Sequence, residues 1–294
     1  MQTLTWTRVY KLVGEVAAVM PRGSRRIPDA VVVLTYLYAA YCSRPVSWAV
    51  VRAHWPLWSL RWVAVLPSGT TVSRRMRTGS VRAFVLQLLR QAQQSLPDDR
   101  LLIIDGTRLL VGRHSKDRHA RTLGRRAGFR RGYLLHQLIH ASGKVVDFRV
   151  TPITVAEPTM AVRMVLALPQ DPAWYLLGDA NYDTTPLHRA CASRGVQMLA
   201  PRKCPGTTVK ARHPSRRRSI LATERPEGLN GFFDHLLTQR WRIERFFGNL
   251  DSYAQGLGEL PSWVRGIRRV INWVTAKLVL NALRIAAVKE RAVA

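Results

Sequence analysis

Leu101-Leu102-Ile103-Ile104-Asp105-Gly106 runs an apolar strand into an aspartate, and Tyr175-Leu176-Leu177-Gly178-Asp179 repeats the pattern further along the chain. Short uninterrupted apolar runs fit strands buried inside an α/β sheet. An acid at the end of such a strand carries its charge to the rim of the sheet, where a cation or substrate reaches it. A third acid, Glu244, lies in Arg240-Trp241-Arg242-Ile243-Glu244, within a stretch of helical spacing.

The segments around these runs predict the rest of the sheet. Arg100 to Val111 reads as one strand, Gly132 to Ala141 as a second and Val145 to Val150 as a third. The tight turn Ser142-Gly143-Lys144 joins the last two, which suits an antiparallel meander. Thr154 to Leu168 reads as a helix entered through Thr154-x-x-Glu157, the spacing of a capping box, with Pro158 inside it. Trp174 to Gly178 is a fourth strand, Thr184 to Ser193 a helix stopped at Gly195, and Val196 to Ala200 a fifth strand. The order β-β-β-α-β-α-β-α predicts an α/β fold with a sheet of mixed direction. Pro201 to Ser219 has no periodicity and reads as a basic loop. Phe232 to Leu250 reads as one long helix with Leu236, Ile243, Phe247 and Leu250 as its buried stripe, and Val270 to Val288 as another amphipathic helix.

Pro97-Asp98-Asp99 marks a boundary. It divides an all-helical region, residues 1–96, from a second domain, residues 97–294, that holds the acids, the basic loop 201–219 and a C-terminal helix. Leu4 to Met20 and Asp29 to Cys42 have helical spacing. Trp48, Trp55, Trp58 and Trp62 read as core of this region rather than as a base-stacking platform. Thr71 to Gln94, with Arg74, Arg75, Arg77 and Arg82, fits either a helix-turn-helix or a basic solvated helix face.

The formal net charge is +28 over 294 residues. Such a surface repels itself unless a polyanion neutralises it, so nucleic acid is the expected partner. The apolar run Ala30 to Cys42 is too short to cross a bilayer, and no signal peptide is visible, so no membrane partner is expected. Cys42, Cys191 and Cys204 form no CxxC pair, which argues for a reducing cytoplasmic setting without a disulfide framework. His114 and His119 lack zinc-ligand spacing. The basic residues cluster. Arg113, Lys116, Arg118, Arg121, Arg125 and Arg126 lie between the first two strands, and Arg202, Lys203, Arg216, Arg217 and Arg218 lie in the 201–219 loop. Both clusters read as tracks for a DNA backbone.

Taken singly, each acid has an ordinary explanation. An aspartate after a strand often caps a helix or forms a turn, and Glu244 has the spacing to pair with Arg240 one turn earlier. Together, in a chain this basic, they fit phosphodiester chemistry. Two Mg²⁺ ions roughly 4 Å apart, held by hard carboxylate oxygens, activate a nucleophile and stabilise the leaving oxygen. Asp105 would bridge the ions, Asp179 would hold one and Glu244 the other; Mn²⁺ is the expected substitute.

Asp105-Gly106-Thr107, Gly178-Asp179-Ala180-Asn181-Tyr182-Asp183 and Arg240-x-x-x-Glu244-Arg245-x-Phe247 resemble the three acidic motifs of DDE transposases of the IS4/IS5 type. The resemblance covers about residues 98–285. It implies a ribonuclease-H-like core, catalysis by Asp105, Asp179 and Glu244, cleavage of element ends and transfer of the freed 3′-hydroxyl to target DNA. It also implies terminal inverted repeats and target DNA as partners, and a homodimer or larger assembly. Asp183 takes a supporting role, capping the helix that starts near Thr184, and Arg240 and Arg245 contact DNA. The chain departs from the pattern at Leu237, where the family often has Tyr, and at Asp251, where it often has Lys or Arg. A same-fold nuclease and an inactive transposase-derived DNA-binding protein are the alternatives.

Overall fold

A computed structural model describes residues 2–20, 26–61, 63, 65–112, 114–124, 128–204, 213–224, 231–252, 257 and 259–293. The chain divides into two compact units, Leu96–Gly248 and residues 1–95 with 249–294.

The second of these units is helical. It contains α1 (Gln2–Val19), α2 (Asp29–Tyr41), α3 (Val46–Ala49), α4 (Gly69–Arg75), α5 (Gly79–Ala92) and, from the far end of the sequence, α11 (Ile267–Val293). Helix α2 is nearly all apolar and buries Val32, Val33, Leu34 and Leu37. Helix α11 packs on α5, α2 and α1. Its residues 267–288 are long and apolar enough to cross a membrane, but 72% of that apolar window is buried, as in a core helix. Buried Lys277 donates to Ala40 O at 2.8 Å and Ser43 Oγ at 3.0 Å, completing the C-terminal end of α2. Burial pushes its ammonium down to about 8. Of the tryptophans expected in the core, Trp55 is buried and packs on Trp6 and Tyr38, while Trp48 and Trp58 are half-buried, against Tyr38 and Tyr10; Trp62 lies outside the described residues. Arg75 is buried and bonds Ile27 O and Asp29, so it is a structural cation rather than part of a solvated face. Arg74, Arg77 and Arg82 are exposed.

Leu96–Gly248 is a mixed α/β unit. Its strands are β1 (Leu101–Leu110), β2 (Arg121–Thr122), β3 (Arg131–His140), β4 (Val145–Pro152), β5 (Tyr175–Leu177) and β6 (Gln197–Leu199). The short strand β2 lies in a segment that sequence periodicity does not mark. Strand β3 pairs antiparallel with β1 on one side and with β2 and β4 on the other. Strands β5 and β6 continue the sheet beyond β1 in parallel. Gly143, with φ +90, closes the β3–β4 turn. Helices α6 (Glu157–Leu166) and α7 (Thr185–Ala192) follow β4 and β5. Their Met160, Met164, Leu187 and Cys191 form a core with Leu102, Ile104, Leu138 and Met198 of the sheet.

Two expectations fail locally. Part of the supposed loop 201–219 is helix α8 (Pro214–Thr223), whose apolar residues Ile220, Leu221 and Ala222 are bunched at its end behind an arginine run and so show no helical period. The single helix expected over 232–250 is two, α9 (Gly231–Thr238) and α10 (Trp241–Ser252). The break at Gln239–Arg240 is a tight turn in which Arg240 N bonds Leu237 O and Ile243 N bonds Arg240 O. The expected stripe of Leu236, Ile243, Phe247 and Leu250 is nevertheless buried.

Gly178 ends β5 in tight quarters. A Cβ there would stand 2.9 Å from both Tyr182 Cβ and Met198 Cε, whereas one at Gly14 of α1 would meet nothing within 4 Å. Gly178→Ala is therefore expected to lower the free energy of unfolding by about 1–3 kcal/mol through overpacking. Gly14→Ala is expected to raise it by about 0.5–1 kcal/mol through helix propensity. Urea melts followed by far-ultraviolet circular dichroism measure both.

Candidate active site

Strand pairing sets the geometry of the acids. In the parallel ladder Leu101 pairs with Tyr175, Leu102 with Leu176 and Ile103 with Leu177. Continuing the same register two residues further brings Asp105 level with Asp179, just past the last paired position. The strands part there: Asp105 lies within β1, while Asp179 begins a 3-10 turn, Ala180–Tyr182, and accepts from Asn181 N at 2.8 Å. Asp105 Oδ1 accepts from Gly106 N at 2.8 Å. Burial pushes Asp105 up to about 6. The charges of Asp179 and Glu244 push the same way, against the Gly106 N–H and Arg240. The three acids singled out by sequence thus share one electrostatic environment.

Glu244 sits in the first turn of α10, where the helix dipole favours a carboxylate. Its side chain is 56% exposed and pairs with Arg240 Nη2 at 3.1 Å. Among the described residues no three acids, histidines or cysteines lie close enough to hold one ion. The structure therefore brings the sequence-predicted acids into each other's field without assembling a three-ligand cage.

A fourth acid departs from its sequence reading. Glu157 does not complete a capping box, because the N-cap of α6 is Ala156 and makes no side-chain bond. The glutamate instead lies against Gly106, where an added Cβ would stand 3.0 Å from Glu157 Oε1. Burial, with the charges of Asp105 and Asp179, pushes Glu157 up to about 7. The signal for it in the sequence is Gly106 itself: a glycine inside an apolar strand marks a place where another group comes close.

Two neutral groups complete the surroundings. Tyr182 is fully buried and its hydroxyl has no hydrogen-bond partner among the described residues. Burial raises it well above the usual phenol range, and Glu157, Asp105 and Asp179 add to the effect. Gln137 is also fully buried, with neither amide atom bonded among the described residues. It pairs directly with Asp105 across the β1–β3 ladder, so the two side chains share a face. Hard carboxylate oxygens, crowded negative charge and orphaned polar groups fit a divalent cation in their chemistry.

Asp183 makes no cap to α7; Thr184 occupies the N-cap position without a side-chain bond. Asp183 is instead buried against Arg216 Nε at 2.8 Å, Arg216 Nη2 at 2.9 Å and His188 Nε2 at 3.2 Å, and it accepts from Lys203 N at 3.4 Å. Burial alone would raise its carboxyl, but these bonds and the Arg216 charge outweigh burial and hold it below the usual range. Arg216 is thus committed to the fold rather than free for DNA. Arg202 is likewise paired, with Glu224 at 2.5 Å.

Other candidate DNA contacts remain open to solvent. Lys203, Arg217 and Arg218 are exposed, as are Lys116, Arg118 and Arg121. Arg113, Arg125 and Arg126 lie outside the described residues, as does the side chain of Asp251. The stretch around Asp117 is anchored by that buried carboxylate, which accepts from Tyr133 Oη at 2.7 Å and His119 N at 3.0 Å. Arg131 donates to Ser115 O at 2.6 Å. Arg242 donates to Ala141 O at 3.0 Å, and Arg245 lies 3.9 Å over the Trp241 ring.

The two raised carboxyls make a signed prediction. A carboxyl whose folded pKa exceeds its unfolded value costs no stability below about pH 4 and progressively more as pH rises through the folded value. Asp183, with its depressed pKa, contributes the reverse and loses its contribution as pH falls below about 4. In EDTA, Asp105→Asn is therefore expected to be more stable than wild type at pH 8, by on the order of 2 kcal/mol. The advantage should shrink to nothing by about pH 4. Thermal melts across that range test it; an advantage independent of pH would mean that Asp105 is not ionised at cost in the fold.

The transposase DDE domain family matches residues 96–282, well over half of the chain, a span that includes Asp105, Glu157, Asp179, Asp183 and Glu244. No curated protein sequence matches. The matched span begins where the α/β unit begins and contains Asp105 of β1, Asp179 in the turn after β5 and Glu244 of α10. The chain belongs to the transposase DDE domain family.

Proposed function

We propose that the protein is a DNA transposase of the IS4/IS5 type with a ribonuclease-H-like catalytic core. It cleaves the ends of its element and joins the freed 3′-hydroxyl to target DNA by in-line phosphoryl transfer. The observation that carries this reading is the β1–β5 register, which sets Asp105 level with Asp179 while Glu244 acts on the same buried carboxyl. Family membership supplies the class of reaction.

Asp105, Asp179 and Glu244 would hold two Mg²⁺ ions, with Mn²⁺ as substitute. When bound, such ions acidify the attacking water or hydroxyl and neutralise charge on the leaving oxygen. The chain's own part is positional. Asp105 is fixed by β1 and by Gly106 N–H, and Asp179 by Asn181 N–H. Glu244 is exposed and, among the described residues, is held by Arg240 alone, so an approaching phosphate that draws Arg240 away would free it to turn toward Asp105. Arg245, stacked on Trp241, offers its guanidinium to the backbone of a DNA end. The Asp183–Arg216 bond ties α8 to the end of the 3-10 turn and so holds the Asp179 loop in place. DNA ends carrying inverted repeats and target DNA are the partners. A homodimer or larger assembly would pair two ends, and the cytoplasm is the setting.

Asp105→Asn, Asp179→Asn and Glu244→Gln are each expected to reduce Mg²⁺-dependent cleavage of DNA carrying the flanking inverted repeats by roughly three orders of magnitude, or about 4 kcal/mol of transition-state stabilisation. DNA affinity should stay within a fewfold. Cleavage at the wild-type rate by any one variant removes that residue from the site. Cleavage without joining, tested with pre-cleaved ends, would make the protein a nuclease. Neutralising exposed Arg217 and Arg218 should lower the slope of log K against log salt by about 0.9 for each phosphate that the protein then leaves to its counterions. An unchanged slope would exclude that face from the DNA path.

A further inference from the structure

We propose that a cavity in the helical unit is a nucleotide site, which holds a phosphate on arginine side chains and a base on an exposed tryptophan. It needs no metal and no acid of the α/β unit.

The cavity measures about 210 Å³ and is built within one unit, from α2 and its link to α3, from the end of α4, and from the stretch that leads into α11. Arg44, Arg77, Arg268 and Arg269 line it, and no acid does. All four are exposed, and none has an ion pair or a side-chain hydrogen bond among the described residues. Arg75, two residues before Arg77, shows the contrast: it is buried and held by Ile27 O and Asp29. Arg268 and Arg269 stand in the first turn of α11, where the helix dipole disfavours cations and no acid offsets them. Arg44 follows Ser43, whose φ of +49 lies in the left-handed region and whose Oγ accepts from buried Lys277. Asn272 Nδ2 bonds Met76 O at 3.1 Å and fixes α11 to the end of α4, so the walls hold their places. A chain this basic gathers some arginines by chance. Here they come from three segments around one concave space, and an anion gains from all of them.

A flat ring stands beside the charges. Pro261-Ser262-Trp263-Val264 is a tight turn closed by Val264 N on Pro261 O at 2.8 Å. Val264 is buried and holds the turn down, which leaves Trp263 39% exposed at the cavity. Buried Trp273 and the phenol of Tyr36 form further wall. Burial raises that phenol well above its ordinary value, against the charge of Arg269, so the hydroxyl stays a donor. An exposed indole among guanidiniums suits a nucleotide, whose base stacks and whose phosphate accepts from planar forks. A plain oxyanion would use the arginines and leave Trp263 without a role. The volume, below the about 300–1,000 Å³ of drug-sized sites, suits one nucleotide rather than a dinucleotide cofactor. A free nucleoside monophosphate and an unpaired nucleotide of a DNA strand share this chemistry.

The test is binding to the full chain in EDTA. The probes are thymidine monophosphate and inorganic phosphate by titration calorimetry, and a labelled oligothymidylate and a closed dumbbell duplex by fluorescence anisotropy. Trp263→Ala is expected to bind the single strand about tenfold more weakly and the duplex nearly as wild type does. Trp263→Phe should recover part of the loss. The double variant Arg44→Gln with Arg268→Gln should lose about tenfold on the single strand and less on the duplex. Monophosphate binding that Trp263→Ala weakens identifies the free nucleotide as a ligand; a response of the strand alone identifies the strand. Single-strand affinity that ignores Trp263→Ala overturns the proposal. Equal losses on strand and duplex mean an ordinary backbone contact and overturn it too, as does inorganic phosphate binding as tightly as the monophosphate. If Trp263→Ala melts well below wild type, the arginine double variant decides, and an unchanged single-strand affinity there sinks the site.

Discussion

The parallel pairing of β1 with β5 is the constraint on which the rest depends. Three paired positions, from Leu101–Tyr175 to Ile103–Leu177, fix how far each strand runs before its aspartate. A slip of one residue would turn one of the acids to the other face of the sheet. The register is held because Leu102, Ile104, Leu176 and Met198 sit in one core with α6 and α7. Burial of apolar side chains, at about 25 cal/mol per Å², thereby sets the spacing of charges that contribute nothing favourable to folding themselves.

Gathering carboxylates at one edge is costly, and the surrounding sequence is shaped to tolerate it. Asp105 and Glu157 are raised to about 6 and about 7, so each is poised to take a proton near neutrality. Glycines occur where acids or their supports come close. Gly106 admits Glu157, and Gly178 admits Tyr182 at the turn that carries Asp179. In contrast, Asp183, in the same short motif as Asp179, is paired with Arg216 and held in its charged form. Two aspartates four positions apart therefore have different tasks: Asp183 stabilises the loop, and Asp179 faces the other acids from its end.

The arginine surplus divides in the same way. Arg75, Arg131, Arg202 and Arg216 bond carboxylates or carbonyls of their own unit. Lys116, Arg118, Arg121, Lys203, Arg217 and Arg218 face solvent. The 46 lysines and arginines thus overstate the cations offered to DNA, since several are paired with acids within the fold, pairs that the net charge of +28 already discounts. Arg240 and Arg245 stand between these groups: one is paired with Glu244, the other rests on an indole, and both are open to a stronger anion.

Sequence alone determined the strands that carry Asp105 and Asp179, the helix around Glu244, the mixed order of the sheet and the polyanion partner. Those features are local: apolar runs, turn residues and composition report on segments directly. It could not place Glu157 against Gly106, because an acid three residues after a threonine reads as a cap until the chain is folded. The break before Arg240 was also hidden, since the buried stripe continues through it and only the backbone turns. The pairings of Asp183 with Arg216 and of Arg202 with Glu224 join residues distant in sequence, where no spacing rule operates. Tertiary structure decided which charges are spent inside the fold and which remain for a ligand, because that division depends on burial and on partners brought together only by packing.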